Sequence, residues 1–172
     1  RLRQEILLGI GGWMLLRALG ETPEVCHLNE GHSAFLLLER LLNLVEGQGL
    51  TYAEAAEVVR SSTVFTTHTP VPAGHDAFDF DKLEACTGPV WTELGVGKGA
   101  FFEIGRHPKE NRGQFQMTVC ALRLSRYVNG VARKHGEVSR GIWAPLWPGR
   151  EASKVPIGHV TNGVHKGTWM AR

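Results

Sequence analysis

Three short segments rich in β-branched and apolar residues constrain this chain more than any other feature. They occupy residues 24–29 (EVCHLN), 62–67 (STVFTT) and 156–162 (PIGHVTN), with stretches of helical periodicity between them. Runs of this length and composition read as buried strands. Strands that alternate with helices return over one face of the sheet and become parallel neighbours. The expected fold class is therefore α/β, a parallel sheet with abundant helix. Each segment also runs directly into a polar cluster: His27-Leu28-Asn29-Glu30-Gly31-His32, Thr66-Thr67-His68-Thr69-Pro70, and Thr161-Asn162-Gly163. In an open parallel sheet, ligands sit beyond the carboxyl ends of the strands. The clusters thus predict a rim of neutral donors and acceptors, which suits a hydroxyl-covered ligand such as a sugar better than a charged one.

The connecting segments carry their own signals. Leu2, Ile6, Ile10, Met14 and Leu15 recur at helical spacing and predict a helix over 2–19, ended by Pro23. Gly9, Gly11 and Gly12 lie inside it, each costing about 1 kcal/mol relative to Ala, so a close neighbour or a kink is expected there. Phe35, Leu38, Leu41, Leu42 and Val45 mark a helix over 33–45, closed by Gly47-Gln48-Gly49. Thr51 with Glu54 three residues on is a capping box that opens a third helix, through about Arg60. Pro70 and Pro72 stop the second strand. Residues 76–94 predict a weaker helix, 95–115 a loop, 117–138 a strong helix, and 140–154 an irregular connection containing Trp143, Pro145, Trp147 and Pro148. On this reading Asn129-Gly130 falls in mid-helix, where propensity disfavours it, so it needs a packing partner or a ligand.

Taken singly, the rim residues have ordinary explanations: His68 as a loop or satisfied core group, Asn29 and Asn162 as caps or turn formers. Three independent strands delivering them to one rim is what singles them out. Other chemistries fare worse. The 19 Lys plus Arg against 17 Asp plus Glu leave a net charge of +2, too even for an electrostatic nucleic-acid binder. Aromatic residues are not interleaved with basic ones, so no base-stacking surface is indicated. The eight histidines include no HExxH, and His27 and His32 are five apart, so no metal site is expected. Gly95-Val96-Gly97-Lys98-Gly99 lacks P-loop spacing, there is no GxSxG elbow, and Glu30 has no evident second carboxylate for a two-carboxylate glycosidase.

Cys26, Cys86 and Cys120 are odd in number and far apart, which fits a reduced, cytoplasmic setting. The opening run RLRQEILLGIGGWMLLRALG has the outline of a signal peptide, but Glu5 abuts its apolar part. The run is also shorter than the ~20 residues a membrane span needs. The 21 glycines are many for a helix-rich domain and imply tight turns and close backbone approach. The first residue is not Met, and Trp169-Met170-Ala171-Arg172 stops where a new segment reads as starting. An internal piece of a longer protein is expected.

Five stretches carry a resemblance: RLRQEILLGIGG, HLNEGHSAFLLLE, TVFTTHTPVPAGHDAF, ALRLSRYVNGVARKHGEVSR and VPIGHVTNGVHKGTW. Together, and in this order, the chain resembles the α-glucan (glycogen, starch and maltodextrin) phosphorylase family, particularly its shorter bacterial and archaeal type. The resemblance covers nearly the whole chain. It implies a glycosyltransferase of two Rossmann-like domains that catalyses reversible phosphorolysis of α-1,4-glucans, releasing glucose 1-phosphate. It implies pyridoxal phosphate held on a lysine of the C-terminal domain, which has no counterpart here; Lys98, Lys109 and Lys134 sit in the wrong context. Residues 1–172 would then be the C-terminal portion of the N-terminal domain, with the cofactor-binding domain absent.

Carried over by position, His68 and Asn162 are the active-site pair that meets the sugar's 6-hydroxyl, His68 through its backbone carbonyl. Val131 is the apolar wall behind that hydroxyl. Thr67 adjoins His68 in the FTTHTP motif, and Asn29, Glu30 and His32 match a cluster that supports it. The muscle-type enzymes read Asp-Thr-His-Pro where this chain has Glu30-Gly31-His32-Ser33, which leaves the role of Glu30 open. The implied partners are α-1,4-glucan, glucose 1-phosphate and phosphate in an oligomeric parent enzyme, with no nucleic acid and no membrane. The alternatives are a non-catalytic carbohydrate-binding chain and a nucleotide-sugar glycosyltransferase of similar architecture, the latter disfavoured by the five phosphorylase-like segments.

Overall fold

The computed structural model describes residues 1–71, 74–109 and 113–170. Pro72, expected to stop a strand, and the terminal Ala171-Arg172 lie outside the described residues. The chain opens with α1 (Leu2–Ile6) and α2 (Gly12–Ala18), which form one rod through a wide π turn over Leu7–Gly11. Gly9 is the reason for a small residue here: a Cβ on it would lie 2.7 Å from the backbone nitrogen of Leu36 and 3.0 Å from Cβ of Phe35. Gly11 would meet only Leu7 of its own turn, and Gly12 faces open space. One of the three glycines is therefore a packing requirement.

β1 (Cys26–Asn29) follows, then α3 (Phe35–Gln48), ended by Gly49 in the left-handed region at φ 68. α4 (Tyr52–Ser61) begins with the expected capping box, in which the Thr51 hydroxyl accepts from the Glu54 N–H and the Glu54 carboxylate accepts from the Thr51 N–H at 2.9 Å. β2 (Thr63–Thr67) completes the first crossover.

Beyond β2 the structure departs from the sequence pattern. Residues 76–94 are not one helix: β3 (Ala77–Asp79) precedes α5 (Phe80–Thr87) and α6 (Val90–Glu93). The expected loop over 95–115 contains α7 (Lys98–Glu103), and β4 (Gln114–Gln116) starts within it and pairs antiparallel with β3. The single helix expected over 117–138 is three elements: α8 (Met117–Arg123), β5 (Tyr127–Gly130) and α9 (Arg133–Trp143). Residues Met117 to Leu122 are all buried, so α8 has no polar face to show a period. β5 is only four residues long and draws its pairing from β2 and from β6 (Gly158–His159), its neighbours in space. Asn129-Gly130 therefore ends a central strand rather than interrupting a helix. A short α10 (Lys166–Trp169) closes the described chain.

The main sheet runs β1-β2-β5-β6 with every pair parallel, an α/β architecture of four strands where three were expected. Its core joins Leu28, Phe65 and Val128 of successive strands to Phe35, Leu38 and Leu41 of α3 and to Met117 and Val119 of α8. Burying each large apolar side chain is worth roughly 1.5–3 kcal/mol. α9 lies on β5 and β6 at backbone distance, because a Cβ on Gly136 would come within 2.7 Å of the Gly158 carbonyl oxygen and one on Gly130 within 2.9 Å of the Gly136 nitrogen. Among the described residues, no helix is long and apolar enough to cross a membrane.

Candidate functional site

The carboxyl ends of all four strands of the main sheet open onto a cavity of about 300 Å³. β1 contributes His27 and Asn29, β2 Thr66 and the following His68, β5 Asn129, and the segment after β6 Val160 and Asn162. The register explains the convergence: Asn29 pairs with Thr66, and Thr66 with Asn129, so these three side chains stand in one row across the sheet. His27 lies two residues before Asn29 and so shares its face. The Thr66 hydroxyl donates to Oδ1 of Asn129 at 3.0 Å, and Nε2 of His27 lies 2.7 Å from the same hydroxyl. With the hydroxyl proton committed to Asn129, Nε2–H of His27 is the donor. Every residue lining the cavity is uncharged or a histidine.

Glu30 organises the rim from behind. Its side chain is buried, and Oε1 accepts from the backbone N–H of His68 and, at 2.8 Å, from that of Thr69. The fully buried Thr67 hydroxyl lies at 3.5 Å from the same oxygen. The carboxylate thereby fixes the turn that presents His68. Asn162 is positioned through its backbone, whose N–H donates to the Val131 carbonyl at 3.0 Å, while the Val160 N–H donates to the Gly130 carbonyl at 2.9 Å. The tail after β6 is thus zipped along the end of β5.

Besides Glu30 and Thr67 behind it, two more of the expected site residues, Val131 and His32, do not line the cavity. Val131 sits at the turn from β5 into α9, where its N–H donates to Nδ1 of His135 at 3.1 Å; the apolar contact in the cavity comes from Val160. His32 belongs to a separate cluster, 3.1 Å from Asp76 and 3.5 Å from Glu5. Ligand atoms of Glu5, His32 and Asp76 lie within 4.8 Å of one another, a grouping compatible with a metal ion. Arg1 closes that grouping, with its guanidinium 3.1 Å from Glu5 and 2.9 Å from Asp76. Burial, and then Asp76 beside it, push the Glu5 carboxyl up to about 8. Burial also works to raise Asp76, but Arg1 and a hydrogen bond from Glu5 outweigh it and hold that carboxylate below its ordinary value.

Asn129 is the rim residue that its apparent mid-helix position concealed. The signal available was the β-prone Tyr127-Val128 pair immediately before Asn-Gly, the same strand-then-polar pattern that marks the other rim segments. The lysines lie at the surface: Lys82, Lys98, Lys134 and Lys154 pair with surface carboxylates, and Lys109 and Lys166 are exposed. No lysine lines the cavity.

No protein-family model matches the chain. Individual proteins do. Over 170 residues and 99% of its length, the chain is 46% identical to maltodextrin phosphorylase of Thermococcus litoralis. It is 44% identical over 180 residues to glycogen phosphorylase of Mycobacterium tuberculosis and 38% identical over 170 residues to glycogen phosphorylase of Aquifex aeolicus. The chain spans only 20%, 21% and 24% of these three relatives, respectively.

Proposed function

We infer that the chain belongs to the α-glucan phosphorylases, and on that premise we propose that the protein it is part of catalyses reversible phosphorolysis of α-1,4-glucans to glucose 1-phosphate. The names of the relatives, maltodextrin and glycogen phosphorylase, support the reaction class. The observation that carries the role of this chain is the neutral cavity at the strand ends, in which Asn29, Asn129, Asn162, Thr66 and His27 converge. Such a surface orients a glucosyl unit through its hydroxyls and leaves the anionic partner to other groups. His68 takes part through a turn anchored by Glu30, with its carbonyl directed to the 6-hydroxyl, and Asn162 meets the same hydroxyl. In domain terms, residues 1–172 are the C-terminal portion of the N-terminal Rossmann-like domain, forming one wall of the active site.

Among the described residues, no lysine or arginine lines this cavity. Charge that develops on the glycosyl group during transfer must be met by groups beyond this chain, since stabilisation has to act where the transition-state charge appears. Pyridoxal phosphate, held on a lysine outside these residues, would supply a phosphate group for acid–base work beside the substrate phosphate. The cytoplasm, an oligomeric parent, and glycogen, starch or maltodextrin as substrate complete the proposal.

Glucose 1-phosphate release from maltodextrin plus phosphate by the longer protein is the test. Asn162→Ala should cost on the order of 1–3 kcal/mol in kcat/KM for a lost hydrogen bond to the substrate, and unchanged kinetics would overturn the assignment. A second reading concerns the chain by itself: the residues proposed to meet the sugar lie on it, whereas none of its lysines lines that cavity. The chain alone is expected to bind maltodextrin without turning it over.

A further inference from the structure

At the opposite end of the sheet, where β2 and β5 begin, lies a second cavity of about 400 Å³. Its walls include Arg60 from the last turn of α4, Arg123 at the end of α8, and Ser125 and Arg126 from the link into β5, with Trp147 and Pro156 on the apolar side. The arginines are knitted together by their own backbone. Nε of Arg60 donates to the Arg123 carbonyl at 3.0 Å, and the Arg126 N–H donates to the Arg60 carbonyl at 3.0 Å. Cations at helix C-termini complement the helix dipole, and that accounts for Nε of Arg60. It does not account for two donors left over. Nη1 of Arg123 and the hydroxyl of Ser125, a residue only 7% exposed, are both buried without a hydrogen-bond partner among the described residues.

We propose that this cavity is a binding site for a phosphate-class oxyanion, taken up between the Arg60, Arg123 and Arg126 guanidiniums with the Ser125 hydroxyl as a further donor. A guanidinium has donors and no acceptor, so a buried, unpaired Nη1 calls for an acceptor and not a cation. Buried polar groups are paired as a rule, and an exception requires a reason. No carboxylate lines the cavity. Glu57 pairs with Arg60, and Glu103, close enough to act on Arg123, pairs with Arg106, and neither carboxylate lines the cavity. Burial also pulls the Arg123 guanidinium down from its ordinary value, although Glu103 works against it. With Arg60 already paired to Glu57, Arg123 and Arg126 bring two further positive charges, which match the nearly two negative charges of a phosphate group near neutral pH better than the single charge of a carboxylate. The site is separated from the sugar cavity by the length of the strands, so it is independent of the activity proposed above.

The test is isothermal titration of the purified protein with inorganic phosphate, and with acetate as the carboxylate control. Phosphate should bind saturably. Arg126→Ala, at an exposed position, and Ser125→Ala should each weaken binding about tenfold, the loss of one hydrogen bond to a charged group. Both variants should melt at the wild-type temperature when phosphate is absent, which separates lost binding from lost fold. Binding that both variants leave unchanged, or no saturable binding, overturns the proposal. Acetate binding as tightly as phosphate overturns the phosphate assignment.

Discussion

Glu30 holds a backbone conformation, φ 62 with ψ −177, that glycine alone adopts freely. Such a conformation costs roughly 1–3 kcal/mol and persists where its surroundings determine it. Here the carboxylate supplies the compensation, by accepting from the amides of His68 and Thr69. Glu30→Gly should therefore relax the backbone while leaving those amides without their acceptor, and the two effects nearly cancel in stability. Maltodextrin affinity should fall about tenfold because the His68 turn loses its anchor; calorimetric melting with a binding titration would separate the two. Glu5 makes a different residue-scale prediction. Its folded value of about 8 lies above the ordinary carboxylate value, so the folded chain holds that proton more tightly than the unfolded one. Its contribution to stability is full at acid pH and is lost as pH rises to about 8. Asp76, lowered in the fold, runs the other way and contributes until pH falls through its folded value. Melting curves of Glu5→Gln should lack the decline that the wild type shows between about pH 5 and about pH 8.

At the scale of elements, the opening rod shows how one glycine differs from the next. Gly9→Ala places a methyl 2.7 Å from the Leu36 nitrogen, so α3 would have to move, at a cost of about 1–3 kcal/mol. Gly12→Ala, in helical geometry with open space around it, should stabilise by about 0.5–1 kcal/mol. Urea unfolding of the two variants tests the contrast, and equal shifts would refute the packing account. The capping box of α4 supports a simpler expectation, a loss of about 1 kcal/mol for Thr51→Ala. These local elements are legible because their causes are local: a side chain three residues away, a glycine just past the last turn. β5 is not legible in that way. Burial alternates along Tyr127, Val128, Asn129 and Gly130, but four residues that end in Asn-Gly are too short and too polar for the sequence to show it as an apolar alternation or an apolar run. Its existence depends on β2 and β6 lying alongside.

For the whole molecule, the two ends of the parallel sheet divide the chemistry. The carboxyl ends gather neutral hydrogen-bonding groups, and the amino ends gather three arginines. The chain alone is expected to release no glucose 1-phosphate from maltodextrin plus phosphate and to hold no pyridoxal phosphate at the cavity, since no lysine lines it. Phosphorolysis by the purified chain would contradict this. Much of the architecture follows from sequence-local chemistry: the α/β class, the capping box, the order of the first helices and strands, and the polar clusters that follow β1 and β2. The tertiary structure alone decided which of those polar groups meet. Register between distant strands placed Asn129 in the row of Asn29 and Thr66, and Glu30 reached across the sheet to the His68 turn. Arg1 and Asp76 held His32 in a cluster of its own. The physical reason is range. Caps and periodicity act over a few residues along the chain, whereas pairing partners 63 residues apart, such as Thr66 and Asn129, are chosen only when the sheet assembles.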